Sequence, residues 1–264
     1  MVTRFIRAET DRTWWHTGSK CDRCLADFYR QGFQGYQGYQ GEVPKCYLCT
    51  TNCGTASGDA GVAVGACYLA HSKSYPTFKP EKQHNFYLGS GFNKDQITDL
   101  LQELELDYEI PDNIFKSTAE YLEQGKIIGW FQGRAEFGPR ALGNRSILTR
   151  PYPASMKDYL NSRVKFRESF RPFAPAVLCE HASDYFEIQQ ESPHMLIASH
   201  ATSVAQKKIP ATVHVDNSCR VQTVTKENNP RFYDLLCSFH SLTKFANILQ
   251  WYFLDFFVHS ILWV

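Results

Sequence analysis

The sequence predicts a mixed α/β (α+β) domain over about residues 86–236, and three observations support this fold class. The 264-residue chain contains 43% hydrophobic and 14% aromatic residues, which is enough apolar surface for a folded core. Segments with the periodicity of amphipathic helices alternate with short apolar runs that are typical of buried strands. Loops containing glycine and proline separate these segments, as expected when helices pack on a sheet.

The predicted helices begin with residues 93–106, where Asn93 is a suitable N-cap. The apolar stripe of this helix consists of Ile97, Leu100, Leu101 and Leu104. Further helices are predicted for residues 114–124, which Gly125 ends, and for residues 156–164.

Upstream, the small and apolar residues of 54–71 predict a close-packed helix, and polar residues 72–91 predict a linker. Short apolar runs predict strands at residues 127–131, 175–179 and 211–215.

Both ends of the chain differ from this central block. Residues 1–53 form an atypical N-terminal segment with the small repeat GFQGYQGYQG, and residues 237–264 form an atypical apolar tail. Polar residues interrupt that tail at Lys244, Gln250, Asp255 and His259. Because an acidic residue near the middle of a bilayer costs about 3 kcal/mol, a buried or irregular tail is favoured over a membrane span.

Positive charge is concentrated in one part of the chain. The net charge is only +1, yet residues 126–173 contain ten lysines and arginines and three acidic residues. The stretch EFGPRALGNRS (residues 136–146) combines arginine, whose planar fork grips two oxygens of a phosphate, with glycines that let backbone N–H groups approach an anion. The cluster predicts a pocket for a nucleotide or phosphoryl substrate. The alternatives are a solvated basic face, or arginines paired with acids elsewhere.

Two long motifs carry a family resemblance. GWFQGRAEFGPRALGNRSIL, followed by MKDYLNSRVKFRESFRPFAPAVL, resembles the C-terminal domain of carbamoyltransferases that modify antibiotics and nodulation factors. IPATVHVDNSCRVQTV and ASGDAGVAVGACYLAH also fit, so the resemblance covers about residues 54–236. It implies a YrdC-like twisted mixed sheet with flanking helices over residues 86–236. It also implies that residues 54–85 are the end of an actin/hexokinase-type domain and a linker.

The resemblance also implies a reaction. The YrdC-like domain of the family forms carbamoyl adenylate from ATP and carbamoyl phosphate, and the iron-containing actin/hexokinase-type domain transfers the carbamoyl group to an acceptor hydroxyl. Fixed cations stabilise the charge that develops at phosphorus during such a step. By match to the motifs, the residues expected to contact phosphate and carbamoyl groups are Arg140, Lys165, Arg171 and Arg220. A second set, expected at the nucleotide, consists of Arg134, Asn144, Arg145, Ser146 and Arg167.

Two pairs in these motifs have a spacing of two residues, which places both members on one face of an extended strand. They are Lys165 with Arg167 and His214 with Asp216. His214 is interpreted either as a polar wall of the pocket or as a structural histidine.

Metal sites are predicted at two places. Asp59 matches the carboxylate that the family supplies to iron, although an aspartate there also suits a turn or a helix cap, and His16 is the only histidine in residues 1–58. Two CxxC pairs separated by 21 residues have nearly the spacing of a zinc ribbon. Their cysteines are Cys21, Cys24, Cys46 and Cys49.

Three functions fit these observations. The first is carbamoyl adenylate formation, with small molecules as substrates and a complete actin/hexokinase-type domain or a second copy of the chain as partner. The second is an inactive fragment that binds only nucleotide, because the family's upstream histidines and C-terminal segment are missing. The third is a YrdC-like or zinc module that binds nucleic acid, which the near-neutral charge disfavours. Nine cysteines and no apparent signal peptide favour the cytoplasm, and no membrane partner is expected.

Overall fold

The computed structural model describes residues 59–77, 85–106, 108–163, 166, 168 and 171–252. These residues form a mixed sheet flanked by helices, which confirms the α+β class. The helices are α1 (Asp59–Ser74), α2 (Lys94–Glu103), α3 (Ile114–Glu123), α4 (Ser155–Arg163), α5 (Ala182–Tyr185), α6 (Ser203–Lys208) and α7 (Pro230–Thr243). The strands are β1 (Ile128–Phe131), β2 (Arg145–Thr149), β3 (Ala174–Leu178), β4 (Ala198–His200), β5 (Ser218–Arg220), β6 (Gln222–Val224) and β7 (Asn247–Tyr252).

The main sheet has five strands in the order β1-β2-β7-β3-β6. β7 lies at its centre and pairs antiparallel with β2 on one side and with β3 on the other. β1 pairs antiparallel with β2, and β3 and β6 are parallel. A separate antiparallel pair is formed by β4 and β5.

Of the two alternatives predicted for the tail, buried or irregular, the described part is buried, because β7 lies at the centre of the sheet. Residues 237–243 belong to α7, and Ile248 and Leu249 of β7 have no exposed surface. Gln250 is also fully buried, so the polar residue that interrupts the apolar run lies inside the domain. Residues 253–264 lie outside the described residues.

Helices cover both faces of the sheet. On one face, Ile128 and Ile248 belong to the same core cluster as Leu122 of α3 and Leu235 of α7. On the other face, a second cluster joins the sheet to α4; its buried members are Ile147, Met156, Leu160, Phe173, Ala211, Leu249 and Trp251. Burial of both faces removes large apolar areas from water and gives the strand ends a rigid frame.

The predicted helices α2, α3 and α4 are confirmed. Asn93 accepts a hydrogen bond from the Gln96 backbone N–H, and the Gln96 side chain accepts one from Asn93, which forms a capping box. α3 is followed by Gly125 in a positive-φ conformation of 80°.

The apolar stripe of α2 nevertheless faces outward. Ile97, Leu100 and Leu104 are 39–56% exposed, so this face packs against little of the described chain.

Two predictions about local structure are wrong. Residues 59–74 form α1 as expected, but the helix is not closely packed against the described part of the chain, since Val62 and Tyr68 are 44% and 38% exposed. Residues 211–215 do not form a strand, because Pro210–Thr212 is a 3-10 turn and Thr212 Oγ1 donates to the Ile209 carbonyl at 2.9 Å. The strands predicted around β1 and β3 are confirmed.

Across the described segments, no helix combines the length and the apolar character that a membrane crossing requires.

Candidate functional site

The residues of the predicted site lie at one edge of the five-stranded sheet. The register places the carboxyl ends of β1 and β7 beside the amino ends of β2, β3 and β6. The loop after β1, the segment before β3 and the end of β5, which Val221 connects to β6, therefore belong to the same edge. The predicted residues on these segments are Arg134, Arg140, Asn144, Arg145, Ser146, Arg171 and Arg220. Lys165 and Arg167 fall outside the described residues, so their placement stays a prediction.

The guanidinium group of Arg145 is bound by the protein itself. Arg145 is 8% exposed, and its carbon Cζ lies 3.6 Å from the centre of the Phe131 ring. Its two terminal nitrogens donate to four backbone carbonyl oxygens at 2.6–3.1 Å, those of Ser90, Gln132, Gly133 and Asn144. This geometry differs from the expectation that Arg145 contacts nucleotide, because carbonyl groups of the chain occupy its donors.

Asn144 and Ser146 are likewise buried and bonded within the domain. The Asn144 side chain donates to the Arg134 carbonyl at 2.7 Å and accepts from Gln132 and Asn229. Ser146 has no exposed surface, and its Oγ accepts from the Gly143 N–H at 3.1 Å. Both side chains therefore build the loop, whereas the sequence predicts them as donors to a ligand.

Glu136 organises the same loop. Its Oε1 accepts three backbone hydrogen bonds, from Leu142 at 2.8 Å, Asn144 at 2.9 Å and Arg145 at 3.1 Å. The side chain is buried, with 5% of the residue exposed. The sequence does not single out this residue, although a carboxylate just ahead of a glycine-rich turn is a suitable acceptor for the turn's N–H groups.

The segment of residues 85–91 packs along this loop instead of acting only as a linker. Arg134 donates to the carbonyls of Leu88 and Gly89 at 2.8 and 2.9 Å. Backbone hydrogen bonds join Gly89 and Ser90 to Ala135 and join Phe86 to Phe137. Arg134 therefore fixes this segment to the loop through its side chain.

Asn229 connects four parts of the site. Its Oδ1 caps α7 by accepting from the Phe232 N–H, and it also accepts from Gln132 Nε2 at 2.7 Å. Its Nδ2 donates to Asn144 Oδ1 and to the Tyr87 hydroxyl, both at 2.9 Å. Burial of Tyr87 raises the pKa of its hydroxyl well above the ordinary value. The raised pKa of Tyr87 reflects a low local dielectric, and hydrogen bonds among buried polar groups are stronger in such surroundings than in water.

A pair of buried glutamines continues this network onto the sheet. Gln250 of β7 donates to Gln222 of β6, and Gln222 donates to the Leu142 carbonyl at 3.1 Å. The Leu142 carbonyl also accepts from the Tyr87 hydroxyl at 3.1 Å. The carboxyl end of the arginine-rich loop between β1 and β2 (residues 132–144) is therefore hydrogen-bonded through Leu142 to Gln222 of β6 and, through Gln222, to Gln250 of β7.

The described residues expected to contact phosphate have different surroundings. Arg140 is half-buried and lies between Phe137 and Leu142 in the loop. Arg171 is exposed and pairs with the Glu168 carboxylate at 3.0 Å, which in water contributes little stability. Arg220 is half-buried at the end of β5. Their common location at one sheet edge is compatible with a shared anion site.

His214 and Asp216 contact each other in the turn that leads to β5. His214 Nδ1 lies 2.9 Å from Asp216 Oδ1, and the same oxygen accepts from the backbone N–H and the hydroxyl of Ser218. The hydrogen bonds from Ser218, followed by the contact with His214, hold the pKa of Asp216 well below its usual range. The two side chains contact each other, but the prediction that they share one face of an extended strand is wrong, because the backbone forms a turn here.

The comparison with protein families decides the family. The model of the family described as carbamoyltransferase C-terminus matches residues 119–253, just over half of the chain. The chain belongs to the carbamoyltransferase family. The match extends through β7, in agreement with the central position of that strand in the sheet.

Curated relatives of this carbamoyltransferase-family chain come from several bacteria. Nodulation protein NolO of Bradyrhizobium diazoefficiens is 39% identical over 203 residues, covering 74% of this chain and 37% of that protein. The 3'-hydroxymethylcephem-O-carbamoyltransferase of Streptomyces clavuligerus is 35% identical over 185 residues, covering 69% and 33%. An uncharacterized Synechocystis protein is 40% identical over 218 residues, covering 71% and 35%. The chain spans about a third of the length of these relatives.

The two metal predictions concern one described residue, Asp59, and four cysteines. Asp59 is the first residue of α1, and the described part of the chain contains no cluster of three or more His, Cys, Asp or Glu side chains that could hold a metal ion. The four cysteines of the zinc prediction, Cys21, Cys24, Cys46 and Cys49, lie outside the described residues.

Proposed function

We propose that this sheet edge binds ATP and carbamoyl phosphate and forms carbamoyl adenylate for transfer to an acceptor hydroxyl. The single observation that carries the proposal is the register of the sheet, which brings Arg140, Arg171 and Arg220 from three separated stretches to one edge. Family membership supports carbamoyl transfer as the overall chemistry. The name of the Streptomyces relative, an O-carbamoyltransferase of a hydroxymethyl compound, supports an oxygen acceptor.

The proposed step balances as follows. Water cleaves the O–P bond of carbamoyl phosphate and releases phosphate and carbamate. A carbamate oxygen then forms a bond to the α-phosphorus of ATP, and the bond to the β-phosphate breaks with release of pyrophosphate. Both steps build negative charge on phosphoryl oxygens, and fixed guanidinium groups lower the barrier because they need no reorganisation.

The residues divide into two groups under this proposal. Arg140, Arg171 and Arg220, with Lys165 as a fourth member from the sequence motif, bind the phosphoryl and carbamoyl groups. Arg134, Asn144, Arg145 and Ser146 hold the loop and the segment 85–91 in place, as their contacts indicate. Transfer to the acceptor requires the acceptor-binding part of the family, for which the resemblance implies an actin/hexokinase-type domain.

Carbamoyl-phosphate-dependent exchange of labelled pyrophosphate into ATP tests the proposal. We expect exchange by the purified chain and a loss of about 100-fold or more in Arg140→Ala, the range found when one charge-stabilising group is removed. Lys207→Ala, which removes an exposed cation from α6, serves as the charge-matched control and should retain activity. Exchange that is unchanged in Arg140→Ala would refute the site assignment. ATP binding without any exchange would instead support the nucleotide-binding alternative.

A further inference from the structure

Glu136 is a buried acid with two oxygens in different situations. Oε1 accepts the three hydrogen bonds from the backbone of Leu142, Asn144 and Arg145. Oε2 is buried and has no hydrogen-bond partner within the described chain. Burying a carboxylate with one unpaired oxygen is costly, and the three hydrogen bonds to Oε1 offset that cost by fixing the backbone of residues 142–145.

The N–H groups that converge on Glu136 form the type of backbone cradle that elsewhere binds phosphate. Here the carboxylate of the chain itself fills the cradle, and the remaining N–H of Gly143 is bound by Ser146 Oγ. The glycines therefore do not present these N–H groups to a substrate, in contrast to the prediction from the sequence. The backbone N–H groups of residues 142–145 are therefore already satisfied by the chain before any substrate anion binds.

The same contact closes a short loop around Arg140. The Leu142 N–H donates to Glu136 Oε1 at 2.8 Å. This hydrogen bond closes a loop of residues 137–141, which contains Arg140. The amino end of this span is fixed by the hydrogen bond from the Phe137 N–H to the Phe86 carbonyl at 2.7 Å. The carboxyl end is fixed where the Leu142 carbonyl accepts from Gln222 at 3.1 Å. Both ends of the segment that carries Arg140 are therefore anchored.

We propose that Glu136 is a positioning residue that holds Arg140 in the orientation required to bind the phosphoryl group of the substrate. The proposal rests on the function proposed above, because Arg140 is the group on which Glu136 acts. Glu136 itself does not contact substrate, since its carboxylate is enclosed by the loop. Preorganisation of this kind places the charge before the reaction and avoids reorganisation during it.

Two substitutions of Glu136 and one control test whether its hydrogen bonds to the backbone are needed for activity. Glu136→Gln retains an acceptor oxygen for the three N–H groups, whereas Glu136→Ala leaves those buried donors unpaired. Glu120→Ala removes an exposed glutamate from α3 and serves as the matched control. Each variant is measured for pyrophosphate exchange with carbamoyl phosphate varied, and for the midpoint of thermal unfolding.

A double-mutant cycle with Arg140 distinguishes positioning from a general loss of structure. We expect Glu136→Ala to lower kcat/KM for carbamoyl phosphate by about 30-fold or more and Glu136→Gln by less than about threefold, with Glu120→Ala unchanged. In the Arg140→Ala background, Glu136→Ala should cause less than about threefold further loss, because the group it positions is already gone. Equal losses in both backgrounds, or equal damage from Gln and Ala, would overturn the positioning role.

Two results separate this proposal from the proposed function. If the wild-type chain exchanges pyrophosphate but the cycle is additive, the function stands and the role of Glu136 does not. If the wild-type chain neither exchanges pyrophosphate nor binds carbamoyl phosphate, both proposals are refuted. Should Glu136→Ala fail to fold, Glu136→Asp replaces it in the same cycle, since its shorter side chain withdraws the carboxylate from the three N–H groups.

Discussion

Gly143 packs so closely against Phe232 that a Cβ atom on the glycine would lie 2.3 Å from Cδ1 of the ring. The glycine also has a positive φ of 97°, a conformation that is unfavourable for residues with a side chain. Phe232 is fully buried at the start of α7, so the ring has no room to withdraw. This contact brings the arginine-rich loop against the first turn of α7.

Gly143→Ala is therefore expected to lower the free energy of unfolding by about 2–4 kcal/mol, from overpacking together with backbone strain. Urea denaturation measures the change. The control is Gly65→Ala in α1, where an added Cβ meets no atom within 4 Å. That substitution should be neutral or stabilising by up to about 1 kcal/mol, because alanine favours the helix. Equal effects of the two substitutions would contradict the close contact between Gly143 and Phe232.

Asn229 and Asn113 both cap helices, but only Asn229 uses its amide nitrogen inside the domain. In Asn229→Asp, a carboxylate oxygen would face the oxygens of Asn144 and Tyr87 in place of the donor Nδ2. We expect a loss of about 2–4 kcal/mol in unfolding free energy, because a buried charge is added and hydrogen bonds are lost. Asn113→Asp, at an exposed cap, should change stability by less than about 0.5 kcal/mol. Thermal and urea unfolding of both variants provide the comparison, and similar values would refute the network.

Arg145→Lys tests whether the arginine is structural. Lysine has one terminal nitrogen and cannot reach the four carbonyl oxygens that the fork of Arg145 bonds. The free energy of unfolding is expected to fall by about 2–3 kcal/mol. Arg231→Lys, at an exposed position of α7, is the control and should have an effect below about 0.5 kcal/mol. A variant with native stability and a raised KM for ATP would instead show that Arg145 contacts nucleotide.

His240 gives the domain a predicted dependence on pH. Burial lowers the pKa of His240, and the neighbouring His181 and Lys244 lower it further against the opposing effect of Glu180 and Asp184. A histidine with a lowered pKa in the folded state binds its proton more readily when unfolded, so the domain loses stability as the pH falls below about 6.5. The difference in unfolding free energy between wild type and His240→Gln should shrink from pH 8 to pH 5.5. A difference that does not change with pH would contradict this prediction.

Local signals in the sequence were sufficient for much of the fold. The cap at Asn93 and the terminating Gly125 each act within a few residues, so α2 and α3 could be predicted from their own segments. β7 could not, because Gln250 interrupts its apolar pattern and its partner Gln222 is 28 residues away. The sequence contains no indication that a buried amide will find a partner on another strand.

The candidate site likewise combines features that local sequence predicts with contacts between residues far apart in the chain. The motif drew attention to the loop between β1 and β2, but it did not distinguish Arg145, whose donors bond backbone carbonyls, from the arginines that are proposed to bind a ligand. Arg145 is satisfied partly by the Ser90 carbonyl, 55 residues away, and Asn229 contacts Tyr87 across 142 residues. Such contacts depend on the tertiary structure and leave no local signal in the sequence. The residues around Arg145 therefore suggested that its guanidinium group binds an anion, whereas carbonyl oxygens of the chain accept its hydrogen bonds.

The central position of β7 has a consequence for synthesis of the protein on the ribosome. The β1–β2 hairpin and the β3–β6 pair are translated before β7, and each presents an open edge until β7 joins them. Strands with unpaired edges readily associate with other chains. Translation that stops before Asn247 would therefore release two half-sheets with a tendency to aggregate. A chaperone that shields nascent chains until the seventh strand emerges should raise the yield of soluble protein.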